Sequence, residues 1–184
     1  MIWLWGEGKK PNIEPFKTRY GKNGSVISAV NLVRGIARLI GWEIINVPGI
    51  TAYLDTDYKA KGEYALEALS ENDLVMVHVE APDEASHEGN VEGKVEAIEQ
   101  IDEKIVGPIM DSAEKFDGLR VLVMPDHYTS VKKGRHVRGA VPVAMWGENI
   151  EAQSGLRFLE TTAKETEVVW DNGPELMRSF LRKE

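Results

Sequence analysis

Leu74-Val75-Met76-Val77-His78-Val79 is the stretch that decides the fold, because its side chains are apolar at nearly every position and no polar alternation marks a wet face. A strand of that kind is covered on both sides, as in a parallel sheet held between layers of helix. Outward from it toward the N-terminus, Tyr58 to Leu69 reads as a helix and Glu43 to Val47 as a strand. Farther back, Ser25 to Ile27 is a short strand, and Val33, Ile36, Ala37 and Ile40 recur at helical spacing, with Ser28 as the expected N-cap and Gly41 as the stop. Ile2 to Trp5 reads as a first strand with Trp3 and Trp5 packed in a core, and Gly6 to Pro15 as a loop.

Toward the C-terminus, Val91 to Met110 carries one apolar stripe of Val95, Ile98, Ile101 and Ile105 on a long helix. Arg120 to Met124 and Val143 to Trp146 read as further strands, and Glu175 to Leu181 as a terminal helix. Strands alternating with helices imply right-handed βαβ units. The expected fold class is therefore α/β, a three-layer sandwich with a mostly parallel sheet, and residues 1–184 read as one domain.

Composition narrows the function. A formal net charge of −8 argues against a nucleic-acid binder, whose affinity rests on Lys and Arg neutralising phosphates. Cysteine is absent, so a metal would have to sit on His and carboxylate ligands, and no disulfide framework exists. No apolar run is long enough for a membrane span and no signal peptide is evident, so a cytoplasmic location is expected.

Two polar clusters follow the two most apolar strands, where sheets of this class gather ligands. The first is His78-Val79-Glu80-Ala81-Pro82-Asp83-Glu84-Ala85-Ser86-His87. Asp83 and His87 are four apart, so on one helical turn after Pro82 they face the same way and could share a cation, or equally serve as a cap or a surface ion pair. The second is Pro125-Asp126-His127, with His136 returning nine residues later. Mixed nitrogen and oxygen donors suit Mn²⁺ or Zn²⁺ better than an all-oxygen Mg²⁺ site, with Mg²⁺ and Co²⁺ as further candidates and no organic cofactor expected. His78, inside an apolar strand, reads as a satisfied histidine behind the site. Lys59 and Lys61 read as solvated helix residues, and Gly6-Glu7-Gly8-Lys9-Lys10 as a turn, since no P-loop helix follows.

At Glu80 to His87, Pro125-Asp126-His127 and His136 the chain resembles the archaeal-type cofactor-independent phosphoglycerate mutases of the alkaline phosphatase superfamily. The likeness continues through Trp3 to Gly6, Tyr20-Gly21, Gly35 to Gly41, Val47-Pro48-Gly49 and Leu54 to Asp57, and so covers nearly the whole chain. The resemblance implies an alkaline phosphatase-like sheet with two divalent ions at its carboxyl edge, and a serine that takes the phosphate from phosphoglycerate and returns it to the other hydroxyl. By position, Asp83, His87 and His136 match the ligands of one ion, and Asp126 and His127 half the ligands of the other. Arg135 and Arg138 flank a ligand and could meet substrate oxygens.

The same resemblance places the nucleophilic serine upstream of the matched region, and neither Ser86 nor Ser130 matches its motif. It implies a fold incomplete on its N-terminal side, a chain inactive alone, and an N-terminal partner chain. An open sheet edge left by that gap would favour a homo-oligomer. The competing expectations are a non-catalytic binding or assembly protein that keeps the fold, and part of a metal-dependent phosphohydrolase.

Overall fold

In the computed structural model, which describes residues 8–152 and 155–181, the elements follow in the order α1 (Phe16–Tyr20), β1 (Gly24–Ile27), α2 (Asn31–Leu39), β2 (Glu43–Ile44), α3 (Tyr58–Leu69), β3 (Leu74–Val77), α4 (Ala81–His87), α5 (Val91–Ile101), α6 (Gly107–Asp111), β4 (Arg120–Val123), β5 (Tyr128–Ser130), β6 (Arg135–Val137), β7 (Ala144–Gly147), α7 (Glu160–Glu165) and α8 (Gly173–Leu181). The strand expected at Ile2 to Trp5, with its two tryptophans, lies outside the described residues.

The central sheet has the order β2-β1-β3 and is wholly parallel, with Ser25 opposite both Glu43 and Val75. β1 is buried along its length, and successive side chains of a strand point to opposite faces. Val26 accordingly joins a core with Phe16, Ala37 of α2 and Trp42, whereas Ile27 joins one with Val47 and Ala65 of α3. Helices α2 and α3 thus cover opposite faces, and the architecture is the expected α/β sandwich. A third cluster, of Tyr58, Ala81, Ala97 and Ile105, packs α5 and its continuation onto the α3 side.

Two further sheets are antiparallel pairs, β4 with β7 and the hairpin β5–β6. The hairpin was not legible as strands, because each arm is three residues of mixed polarity. Among the described residues β3 and β4 share no ladder, although both deliver their carboxyl ends to one rim.

Three local expectations shift. Ser28 does not cap α2; it is fully buried at the end of β1, and its Oγ accepts from the Val30 N–H, so the helix begins at Asn31. The strand expected over Glu43 to Val47 is paired only at Glu43–Ile44. The stripe along the long helix is broken: Val95 and Ile98 face solvent while Ile105 is buried. Its inward face is made instead by Gly93 and Ala97, small enough for α5 to close on Leu54 and the Asn90 cap.

A π-helical turn over Asp102–Val106 then rotates the phase and brings Ile105 into line with Ala97. Its cause is Pro108, which has no N–H to return to the Lys104 carbonyl, while Gly107 donates back five residues to Asp102. Among the described residues no helix is long and apolar enough to cross a membrane.

Candidate metal centre

Glu80 leaves β3 into α4, whose first turn holds Pro82 and Asp83. One helical turn later His87 sits on the same side, its Nε2 3.3 Å from Asp83 Oδ2. The hairpin supplies the facing wall. Its register sets Thr129 opposite His136, and both reach the other carboxylate oxygen: His136 Nε2 lies 3.3 Å from Asp83 Oδ1, and the Thr129 hydroxyl donates to that same atom. The two imidazole Nε2 atoms are 3.1 Å apart. The structure therefore brings Asp83, His87 and His136 together at one point.

The supporting hydrogen bonds settle how the rings are presented. Gly134, at φ +57°, turns its carbonyl toward the Nδ1 of His87 at 2.9 Å. That nitrogen donates, so in the neutral ring the lone pair is on Nε2, aimed at Asp83 and His136. Gly134 has little room for a side chain, since a Cβ there would lie 3.1 Å from the His87 carbonyl oxygen. The Thr129 hydroxyl has one proton and gives it to Asp83, so the contact at 3.2 Å to His127 Nδ1 has the ring donating. His127 is thereby also left with a free Nε2, and its ring lies 3.9 Å from that of His136.

His127 thus joins the same cluster: donor atoms of Asp83, His127 and His136 fall within 4.8 Å of one another, as do those of Glu80, Asp83 and Glu84. Asp126 is more open, its Oδ1 accepting from the His127 N–H and its Oδ2 3.5 Å from His127 Nε2. Arg135 and Arg138 are exposed, and Arg135, next to His136 in β6, points to the opposite face of the hairpin.

Behind the cluster lies a polar relay. His78 accepts from Ser28 Oγ at Nδ1 (3.2 Å) and meets Glu80 Oε2 with Nε2 (3.3 Å), so both ring nitrogens are engaged. Burial holds His78 below the usual histidine range, and raises Glu80, with the carboxylates of Asp83 and Asp126 adding to the rise. His87 is raised above its ordinary value, above all by its hydrogen bond to the Gly134 carbonyl.

Lys61 corrects the expectation of a solvated lysine, being 1% exposed. Tyr58, Lys61, Gly62, Ala65 and Ala68 form the inner face of α3, so its helical position, rather than its charge, decides its place. Its Nζ donates to the His78 carbonyl at 3.3 Å, and burial pushes the ammonium down to about 8 against the pull of Glu80. Lys59 is exposed as expected, 3.3 Å from Glu63.

Sequence reasoning missed Thr129, Gly134 and Lys94, whose Nζ donates to the Thr129 carbonyl at 3.0 Å. None is a ligand type, and only the hairpin register reveals them.

Residues 1–181 match the family model described as Metalloenzyme superfamily. A 2,3-bisphosphoglycerate-independent phosphoglycerate mutase of Methanothermobacter thermautotrophicus is 47% identical over 165 residues, covering 90% of this chain and 41% of the relative. A probable mutase of the same description from Geobacter sulfurreducens is 45% identical over 181 residues, 98% of this chain and 45% of the relative. The chain thus spans less than half the length of these relatives. Among solved structures, a Pyrococcus horikoshii protein superposes with a TM-score of 0.79 at 29% identity, over 86% of this chain and 48% of that one. A cofactor-independent phosphoglycerate mutase from Thermoplasma acidophilum gives a TM-score of 0.64 at 21% identity, over 86% of this chain and 36% of that one, a likeness of fold alone.

Proposed function

The chain belongs to the Metalloenzyme superfamily, and from that premise we propose that it is the metal-binding portion of a 2,3-bisphosphoglycerate-independent phosphoglycerate mutase, the description its relatives carry. Asp83, His87 and His136 hold one divalent ion. Asp126 and His127 supply part of a second site. The observation that carries this reading is the spacing of the donors. Metal–donor bonds of about 2.0–2.1 Å in a tetrahedron put neighbouring donors about 3.3 Å apart, and the separations here are 3.1, 3.3 and 3.3 Å. Nitrogen and oxygen donors without thiolate favour Mn²⁺ or Zn²⁺.

When bound, such an ion neutralises charge on a phosphoryl group and lowers the pKa of a hydroxyl beside it. The chain's own residues prepare for that. Gly134 and Thr129 fix the rings of His87 and His127, and Thr129 also fixes the Asp83 carboxylate. Arg135 and Arg138 are candidates for substrate oxygens near the open side.

Interconversion of 2- and 3-phosphoglycerate through a phosphoserine needs a nucleophile, and the serines near the ligands do not serve. Ser86 is fully buried and donates to the Pro82 carbonyl; Ser130 Oγ accepts from the Lys133 N–H in a turn. The serine is therefore assigned to the part of the relatives that this chain does not span, acting as a partner to it in the cytoplasm.

Two measurements test this. Calorimetric titration of chelator-treated protein with Mn²⁺ should give about one ion per chain, with His87→Ala and His136→Ala each weakening binding by about tenfold or more. A mutase assay of the chain alone should give no turnover. Absence of Mn²⁺ or Zn²⁺ binding would sink the metal assignment, and phosphoglycerate interconversion by the chain alone would refute an external nucleophile.

A further inference from the structure

Two helices on opposite layers of the sandwich carry exposed apolar side chains and charges of opposite sign. On α2, Leu32 is 67% and Ile36 47% exposed. Beside them on the helix surface Gly35 has no heavy atom within 4 Å of where a Cβ would stand, which leaves a shallow depression. α2 contains two arginines and no acid. Arg34 is held by the Ser28 carbonyl and Asn46, and Arg38 is exposed on the far side of Gly35 from Leu32.

On α5, Val91, Val95 and Ile98 are 59%, 50% and 51% exposed at a spacing that makes one ridge. Directly alongside run Glu92, Glu96 and Glu99, all exposed. Like charges three and four apart on a helix repel one another, so this row weakens α5 unless a cationic neighbour lies against it.

Each strip is therefore an apolar row bordered by a charged row, and the borders are of opposite sign. We propose that α2 of one copy docks on α5 of a second copy of this chain, the valine and isoleucine ridge entering the depression at Gly35 and Arg38 lying along the glutamate row. Pairing α5 with α5 would set acid against acid, and α2 with α2 would set base against base. Because Val26 and Ile27 send α2 and α3 to opposite faces, and α5 packs on the α3 side, the two strips look in different directions. One pair of copies cannot exchange both contacts, so the association is head-to-tail and continues into a ring or an open chain.

The test is a mixing experiment read by sedimentation velocity over a concentration series, with circular dichroism as the check on folding. Wild-type protein should grow in mass with concentration. Leu32→Glu with Ile36→Glu should stay monomeric, as should Val95→Glu with Ile98→Glu. An equimolar mixture of the two should form a pair of twice the monomer mass and nothing larger, since only one working α2 and one working α5 remain between them.

As a milder pair of substitutions, Arg38→Glu should weaken association about tenfold, and adding Glu99→Arg should restore it. A wild-type chain that is monomeric throughout, self-association surviving in the α2 variant, or a mixture that does not pair would each overturn the proposal.

Discussion

Lys61 shows most directly what a single position costs and what it signals. Its folded pKa of about 8 lies below the ordinary value of 10.5, so between those limits the folded chain binds fewer protons than the unfolded one. Stability must then rise with pH across that window, and below it the buried ammonium is a standing cost on the order of 3 kcal/mol. Urea unfolding at pH 7.0 and pH 9.5, as order-of-magnitude settings on either side of about pH 8, should show wild-type protein gaining stability relative to Lys61→Met. A difference between the two proteins that does not change with pH would contradict a buried charged lysine. The helical period of α3 made the inward position of Lys61 readable, yet charge outweighed period in the reading of the sequence. Lysine is so seldom buried that composition misleads where geometry does not.

At the scale of elements, α3 and the π-turn fix one another. A Cβ on Gly62 would overlap the Lys104 carbonyl oxygen, and a backbone atom cannot rotate away as a side chain would. Alanine in a helix gains about 1 kcal/mol over glycine, whereas overpacking costs about 1–3 kcal/mol. Gly62→Ala should therefore destabilise by roughly 1–2 kcal/mol. Gly35→Ala, with open space around it, should stabilise by about 0.5–1 kcal/mol. Equal effects at the two glycines in thermal unfolding would show that the close approach is not what holds α3 in place.

Element types were largely legible because β1, β3 and β4 are continuous apolar runs and α3 has a clean period. The π-turn was not, since a stripe of Val95, Ile98, Ile101 and Ile105 looks uninterrupted until the phase shift forced by Pro108 sends its two ends to different environments. The hairpin escaped because three-residue arms carry too little pattern, and with it went Thr129 and Gly134. The candidate ligands themselves were legible, being aspartates and histidines placed just beyond apolar strands.

For the whole molecule, the parallel sheet and the β4–β7 pair have no backbone ladder between them among the described residues. The side chains at the rim, with Lys94 and Thr129 joining α5 to the hairpin, tie one part to the other. A cation shared by Asp83 on α4 and His136 on β6 would bind only when both parts are assembled, so it must stabilise the fold. At a free concentration of one hundred times its dissociation constant the gain is about 2.7 kcal/mol. Thermal unfolding should shift upward with added Mn²⁺ or Zn²⁺ and return with chelator, while Asp83→Asn should show no shift. A wild-type transition indifferent to metal would mean that the cluster does not bridge the two parts.

Gly134 and Thr129 bear on how discriminating such a centre can be. Two of its three imidazoles are already oriented by a carbonyl or a hydroxyl, so they surrender little torsional entropy when an ion arrives. A centre preset in this way accepts an ion that fits the waiting geometry and strains against one that prefers a wider shell. Choice among cations would then come from the shape of a short hairpin rather than from the chemistry of the donors alone.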